Sequence, residues 1–351
     1  MALLPENTNT TAHAIYRMHA ERNAKQPPRG YLGWSQIGEP CKRQLWYSFR
    51  LSKKPNVEGR IARLFDTGHR EEDRVIRELE GIGCKVYSID PNTGGQYGVS
   101  SHGGHFKGHL DCVVLGLPEA PKTYHLVDVK TIKSKKFDQL LKDGMQKMYP
   151  KYWSQAHGYM GLQGLERAMF IFICKDDDRI HCERFPFDKA TFERDMAKAL
   201  EIINAAEPPA RISNDASWFE CKFCNFHSLC HGTDMPDVHC RSCAYASPDT
   251  DAQNARWVCS HHSKDLSPPD QLIGCDSHRF IPPLLANFAT PSDFQDGKVI
   301  YLMKDGSGQF SNGDLTSKEI AALHDKASLP NLLNDTYIIG LREHFGAEVV
   351  G

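Results

Sequence analysis

Three residues have the types and spacing to do chemistry: Asp111, Asp128 and Lys130. Asp111 closes the run Gly108-His-Leu-Asp, and Asp128-Val-Lys130 lies within His125-Leu-Val-Asp-Val-Lys-Thr. Both stretches read as strands. Residues two apart on a strand leave the same face, so Asp128 and Lys130 share one side while Val127 and Val129 take the other. Paired carboxylates suit a hard divalent cation such as Mg2+ or Mn2+, and such an ion holds a phosphate and lowers the pKa of an attacking water. A lysine beside them can position that water or offset charge growing on the phosphate. The set fits metal-assisted hydrolysis of a phosphodiester. Asp-x-Lys alone is common on exposed strands, so its surroundings decide.

The second source of chemistry is cysteine. The chain has twelve, and seven of them fall between Cys221 and Cys275. In a reducing compartment that clustering reads first as metal binding. Cys221-Lys-Phe-Cys224 is followed by Cys230, and Cys41 stands alone in Pro-Cys-Lys-Arg. Together they supply four thiolates, a ligand set for a cubane iron-sulfur cluster and equally for structural zinc, with His227 and His231 as further zinc donors. Cys240-Arg-Ser-Cys243 is a two-ligand knuckle, and Cys259 and Cys275 follow at spacings that suit a zinc ribbon. His239, His261, His262 or His278 could replace Cys275. Cys84, Cys112, Cys174 and Cys182 lie in or beside apolar runs and read as packing residues.

Periodicity outlines the elements that must position these groups. Helices are expected over 11–25, over 34–49 with Ser35 as N-cap, and over 61–79, the last ended by Gly81 and Gly83. Strands follow at 84–89, 106–115 and 124–132, then helices at 137–148 and 152–162, strands at 168–174 and 180–185, and a helix at 187–203. Composition changes at Glu207-Pro-Pro, and Met235-Pro236 reads as a linker. A strand-like run at 299–303 and a helix at 317–327 come last. The expected organisation is an arm (1–30), an α/β core (31–234) and a small cysteine-rich, zinc-binding C-terminal domain (235–351).

In this order the motifs resemble the PD-(D/E)XK nuclease superfamily, in the RecB-like branch that includes the CRISPR-associated iron-sulfur nucleases and the AddB nuclease subunit. The resemblance covers roughly residues 31–232. It implies a restriction-endonuclease-like central mixed sheet flanked by helices. His69, in Phe65-Asp-Thr-Gly-His-Arg-Glu-Glu, matches a metal-binding histidine on the helix before the sheet, so the implied Mg2+ or Mn2+ ligands are His69, Asp111 and Asp128, with Glu71 and Glu72 as secondary candidates. Gln155-Ala-His-Gly-Tyr159 matches a helical motif whose glutamine and tyrosine share one face and steady the site or contact DNA. The family often has glutamate where this chain has Asp128. One cysteine before the core and three after it, as in the iron-sulfur members, assign Cys41, Cys221, Cys224 and Cys230 to a structural [4Fe-4S] cluster. The implied activity is that of a DNA exonuclease trimming ends in recombination or repair, as in phage-borne and bacterial relatives, with a recombination protein as a candidate partner. The alternative is a non-catalytic DNA-binding accessory protein.

Bulk properties bound these readings. No apolar run is long enough to span a bilayer and the N-terminus lacks a secretory layout, so a cytoplasmic protein is expected. The net charge of −2 means that DNA contacts must come from local patches. Lys42, Arg43, Lys53, Lys54 and Arg60 with Trp34, Trp46 and Tyr47 mix charge and aromatic faces in a way that suits a single strand. Lys133, Lys135 and Lys136 add charge after the Asp-x-Lys strand. There is no Gly-x4-Gly-Lys-Ser/Thr loop, which argues against a nucleotide cofactor and unwinding.

Overall fold

The computed structural model describes residues 9–325 and residue 344; the end of the helix expected over 317–327 lies outside the described residues. The first helix, α1 (Thr11–Ala24), is capped by the Thr10 hydroxyl, which accepts from the His13 amide. A short strand β1 (Leu32–Gly33) leads into α2 (Trp34–Ile37) and α3 (Lys42–Phe49). The single helix expected over 34–49 is therefore two, and Gly33, not Ser35, is the N-cap. Pro40 has no amide to give a helix ladder, and the break it enforces puts Cys41 at the N-cap of α3. Helix α4 (Gly59–Gly81) then buries Ala62, Val75 and Leu79.

The strands β2 (Lys85–Tyr87), β3 (Gly98–Ser101), β4 (Phe106–His109), β5 (Cys112–Leu115) and β6 (His125–Ile132) follow. The continuous strand expected over 106–115 breaks at Leu110–Asp111, because its halves belong to different sheets: β4 lies between β1 and β3, while β5 lies between β2 and β6. Helices α5 (Ser134–Asp143), α6 (Met145–Met148) and α7 (Pro150–Gln163) carry the chain over to β7 (Arg167–Cys174), which is joined by β8 (Ile180–Pro186) and closed by α8 (Lys189–Asn204). Gly144, at φ 75°, divides the helix expected over 137–148.

The central sheet runs β2-β5-β6-β7-β8. Only β6 and β7 are parallel, and a parallel pair needs a long crossover such as α5–α7. Val127, Val129, Met169, Ile171 and Ile173 pack with Val75 and Leu79 of α4 on one face. Leu126, Ile132, Phe170 and Phe172 pack with Trp34, Ala156 and Met160 on the other. This is the mixed, helix-flanked α/β sheet that the sequence led us to expect.

Helix α7 is buried continuously from Ser154 to Met160, because it runs between the sheet and the helices α2 and α8. Glycine is required where it crosses α2: a Cβ on Gly158 would lie 2.1 Å from Trp34 Cε3. We expect Gly158→Ala to destabilise the protein by about 1–3 kcal/mol through overpacking. Gly68→Ala in α4, where a Cβ meets nothing within 4 Å, should stabilise it by about 0.5–1 kcal/mol. Paired thermal melts check both signs.

Beyond α9 (Phe219–Lys222) and α10 (His227–His231), a three-stranded ribbon forms from β9 (Ala246–Pro248), β10 (Trp257–Cys259) and β11 (Lys264–Leu266). Its residues Ala246, Trp257 and Leu266 share one buried cluster with Trp34, Trp46, Phe49 and Phe106. A Cβ on Gly103 would come within 2.5 Å of Ala252 O, so backbones from the two halves touch. The division expected at residue 235 is thus not a division of cores. A second cluster does form further on, where β12 (Ala289–Gln295), β13 (Lys298–Met303), β14 (Gln309–Asn312) and α11 (Ser317–Asp325) gather Phe280, Leu285, Tyr301 and Ile320. No described helix is long and apolar enough to cross a membrane.

Candidate active site

Strand alternation places Asp128 and Lys130 together on the α7 side of β6. Asp128 is 2% exposed and Lys130 19%, and Lys130 Nζ is ion-paired with Asp128 Oδ1. Asp111 does not lie inside a strand as expected; it sits at the corner where the chain leaves β4 for β5. The corner serves the site. The last β5–β6 rung is Cys112 with Val127, and beyond it Asp111 Oδ2 takes the Val129 amide at 3.1 Å. The carboxylate is therefore fixed beside Asp128 by the backbone of the same strand.

From α7, Gln155 Nε2 donates to Asp128 Oδ2 at 3.4 Å and to the Tyr159 hydroxyl at 3.3 Å. Tyr159 reaches this position because Gly108 has no side chain: a Cβ there would lie 2.4 Å from the tyrosine ring. This gives the glycine of Gly-x-x-Asp a physical role. Tyr152, one turn before Gln155, puts its ring centroid 5.1 Å from Lys130 Nζ, within cation–π range. Sequence reasoning missed Tyr152; its signal was the helical i−3 spacing from Gln155.

On α4, half-buried Glu72 is the acid that faces the pair. Burial and the Asp111 carboxylate raise its pKa, with Lys130 and His69 opposing. His69 is exposed, one turn earlier. Glu71 turns away to Arg74, 3.5 Å distant. Burial likewise pushes the Asp128 carboxyl above the usual range; Lys130 opposes this, and Asp111 and Glu72 add to it. Burial works against the Lys130 ammonium, yet Asp128 and Asp111 hold it above the ordinary lysine range.

Three carboxylates around one ammonium leave two negative charges in a largely dry site, and oxygen donors with that excess charge fit a hard divalent cation. Among the described residues, no three His, Cys, Asp or Glu side chains are already set to hold one ion. In this arrangement Lys130 holds the Asp128 oxygen.

Cys41, Cys221, Cys224 and Cys230, far apart in sequence, line one cavity with Tyr47, Arg211 and His231. The Cys224 sulfur accepts the Phe226 amide at 3.4 Å. Burial pushes the Cys224 thiol up to about 11, and the other three cysteines add to the rise. Four thiolates there need shared positive charge, as a metal centre supplies. The donor set fits a tetrathiolate group.

Cys240, Cys243, Cys259 and Cys275 line a second cavity. Of the candidate replacement histidines, His278 uses both ring nitrogens, Nδ1 with Ser317 Oγ at 2.8 Å and Nε2 with His239 O at 3.1 Å. His239 Nε2 pairs with Leu51 O, and His261 stacks on Tyr245. His262 is the one beside a cysteine, with Nε2 3.6 Å from Cys275 Sγ.

The expected DNA contacts need correction. Trp46 and Trp34 are fully buried, and Trp46 Nε1 is bonded to Ala205 O, so neither can stack on a base. Arg43 donates to Tyr47 Oη and Pro209 O, whereas Lys42 makes only an exposed ion pair with Glu201, which leaves it open to a phosphate. A run rich in charge and aromatics looks the same whether its rings face solvent or core. Lys133 is exposed at the start of α5. Exposed rings lie elsewhere, and three of them, Trp218, Phe219 and Phe223, are close together in sequence, with Lys222 Nζ 5.7 Å from the Phe223 centroid.

No family model matches the chain, and no curated protein matches it. Among solved structures it is similar to the crystal structure of SSO0001, at 15% identity and a TM-score of 0.38, over 64% of this chain and 98% of that one. It is also similar to an alkaline exonuclease, LHK-Exo, from Laribacter hongkongensis, at 16% identity and a TM-score of 0.36, over 53% and 90%. The structure of LHK-Exo in complex with dAMP gives 15% identity, a TM-score of 0.36, and coverage of 54% and 89%.

Proposed function

We propose that this protein is a divalent-metal-dependent DNA nuclease, acting as an exonuclease on DNA ends in recombination or repair. The observation that carries the reading is the convergence of Asp111, Asp128, Glu72 and Lys130 on one half-open site, backed by Gln155 and Tyr159. Asp111 and Asp128 would hold the cation, with Glu72 or His69 completing its ligands from α4. When bound, the cation polarises the phosphate and lowers the pKa of the attacking water. Lys130 offsets charge growing on the phosphoryl oxygens. Gln155 keeps Asp128 aimed through Oδ2, and Tyr159 keeps Gln155 in place. Packing of Tyr152 restrains the lysine. On the same reading, Cys41, Cys221, Cys224 and Cys230 hold a [4Fe-4S] cluster that staples the N-terminal part to the end of the core.

The test is cleavage of end-labelled linear DNA by the purified full chain, with Mg2+ or Mn2+ and with chelator. Mononucleotides released only with metal, from linear but not circular DNA, are expected. Binding without cleavage under every metal would leave the accessory-protein alternative instead. Stacking on the exposed aromatic group is checked separately: Phe219→Ala with Phe223→Ala should weaken single-strand binding about tenfold or more, since base stacking is worth about 1–3 kcal/mol per base, and leave cleavage at saturating DNA intact.

A further inference from the structure

The ribbon cysteines have neighbours that single out their charge. Arg241, between Cys240 and Cys243, is 0% exposed, and Arg50, at the end of α3, is 3% exposed. Neither has a carboxylate partner among the described residues; Cys243 acts on Arg50, and Arg50, His105 and His239 lie in the field of Arg241. The Arg241 guanidinium bonds to Phe49 O and lies over the rings of Phe49 and Trp257, at 5.0 and 4.6 Å. Arg50 donates to Ala246 O at 2.8 Å and lies 5.0 Å over the same Trp257. The Nε atoms of both are buried with no hydrogen-bond partner. A guanidinium cannot shed its proton in a protein, so two positive charges are held in the core, and Arg50, bonded to Ala246 O at the start of the ribbon, is the one on which Cys243 acts. Two buried like charges are tolerated only next to compensating negative charge.

We propose that Cys240, Cys243, Cys259 and Cys275 form a tetrathiolate zinc centre whose negative charge is partly offset by Arg50, and that this centre is part of the folded core and not of a separable tail. Four thiolates around Zn2+ sum to −2, and a buried guanidinium near one of them offsets part of that charge. The local chemistry agrees. Cys243 Sγ accepts the Arg279 amide at 3.5 Å, and His262 Nε2 stands 3.6 Å from Cys275 Sγ, so the tests below separate a histidine that donates to the thiolate from one that replaces it. The thiols line one cavity without three of them being set at one ion, so zinc draws them together as it binds and its binding energy becomes folding energy. The centre does not depend on the nuclease reading.

The full chain is the test object. Metal analysis should find one zinc per chain fewer in Cys259→Ser than in wild type, and the wild-type zinc content in His262→Ala. The cobalt-substituted wild type, which needs no variant to fold, should show an all-sulfur tetrahedral spectrum unchanged by His262→Ala. Arg50→Met keeps every ligand and should weaken zinc binding in chelator competition by about 10- to 100-fold, the usual effect of removing an outer partner of a metal site. A spectrum that His262→Ala alters, a zinc content in Cys259→Ser equal to that of wild type, or unchanged zinc affinity in Arg50→Met would each overturn the proposal.

Discussion

Asp128→Asn should abolish DNA cleavage, a loss on the order of 10³-fold or more, as removal of a charge-stabilising group at a reacting centre typically costs. Asparagine keeps the shape of the buried side chain and can still accept from Gln155 Nε2, which now reaches Oδ2, so the packing against α7 is preserved. What disappears is one negative charge of the three that face Lys130. Lys130 keeps Asp111 as a counter-charge, so the variant should melt within a few degrees of wild type. Lys130→Met should lose cleavage to a similar degree for a different reason: the carboxylates remain, but nothing offsets charge on the phosphate. DNA binding should survive both changes when assayed with labelled single strands. Wild-type cleavage in either variant would remove this site from the chemistry, whatever the rest of the fold does.

The sequence made this site legible to the extent that strand alternation governs it. A period of two is enough to put Asp128 with Lys130 and Val127 with Val129 on opposite faces, and both cores bear that out. Alternation could not show that 106–115 is two strands, because the break at Leu110–Asp111 reflects which sheet each half joins; Asp111, a residue that strands disfavour and turns favour, was its one local signal. Position on a long helix was harder still. His69 and Glu72 are three residues apart, on neighbouring turns of α4, and only packing shows that Glu72 turns toward Asp111 while His69 faces solvent. The aromatic-basic run around Trp46 was misread for the opposite reason, since burial of tryptophan is decided by partners such as Ala205, distant in sequence. The ribbon's place in the main core was hidden too: Arg241 reads as a surface residue between two ligands until Phe49 and Trp257 are seen around it.

Cys41→Ser should bleach the protein and lower its thermal midpoint by roughly 10 °C, the change that about 3–5 kcal/mol produces in a domain of this size. Cys41 caps α3, and its three partners come from a segment that begins 180 positions later, at Cys221. The Tyr47 ring of α3 lies tilted against Phe226 of that segment, with centroids 5.6 Å apart, and Arg43 reaches Pro209 O, ahead of it, at 3.0 Å. A cluster bound by all four thiolates adds its binding energy to folding, and serine at one corner cannot replace a thiolate. Protein purified without oxygen should carry stoichiometric iron and sulfide, and Cys41→Ser should lose both while keeping the zinc of the ribbon. Cys84→Ser is the control, because Cys84 packs away from the cavity and bonds to Gly116 O; iron and colour should be unchanged. A cluster locked by four thiolates has no open position for hydrolysis, so any fall in cleavage by Cys41→Ser should follow its lower midpoint and recover at reduced temperature. Colourless wild-type protein with two zincs and no iron would reject the cluster and leave a second structural zinc at Cys41, Cys221, Cys224 and Cys230.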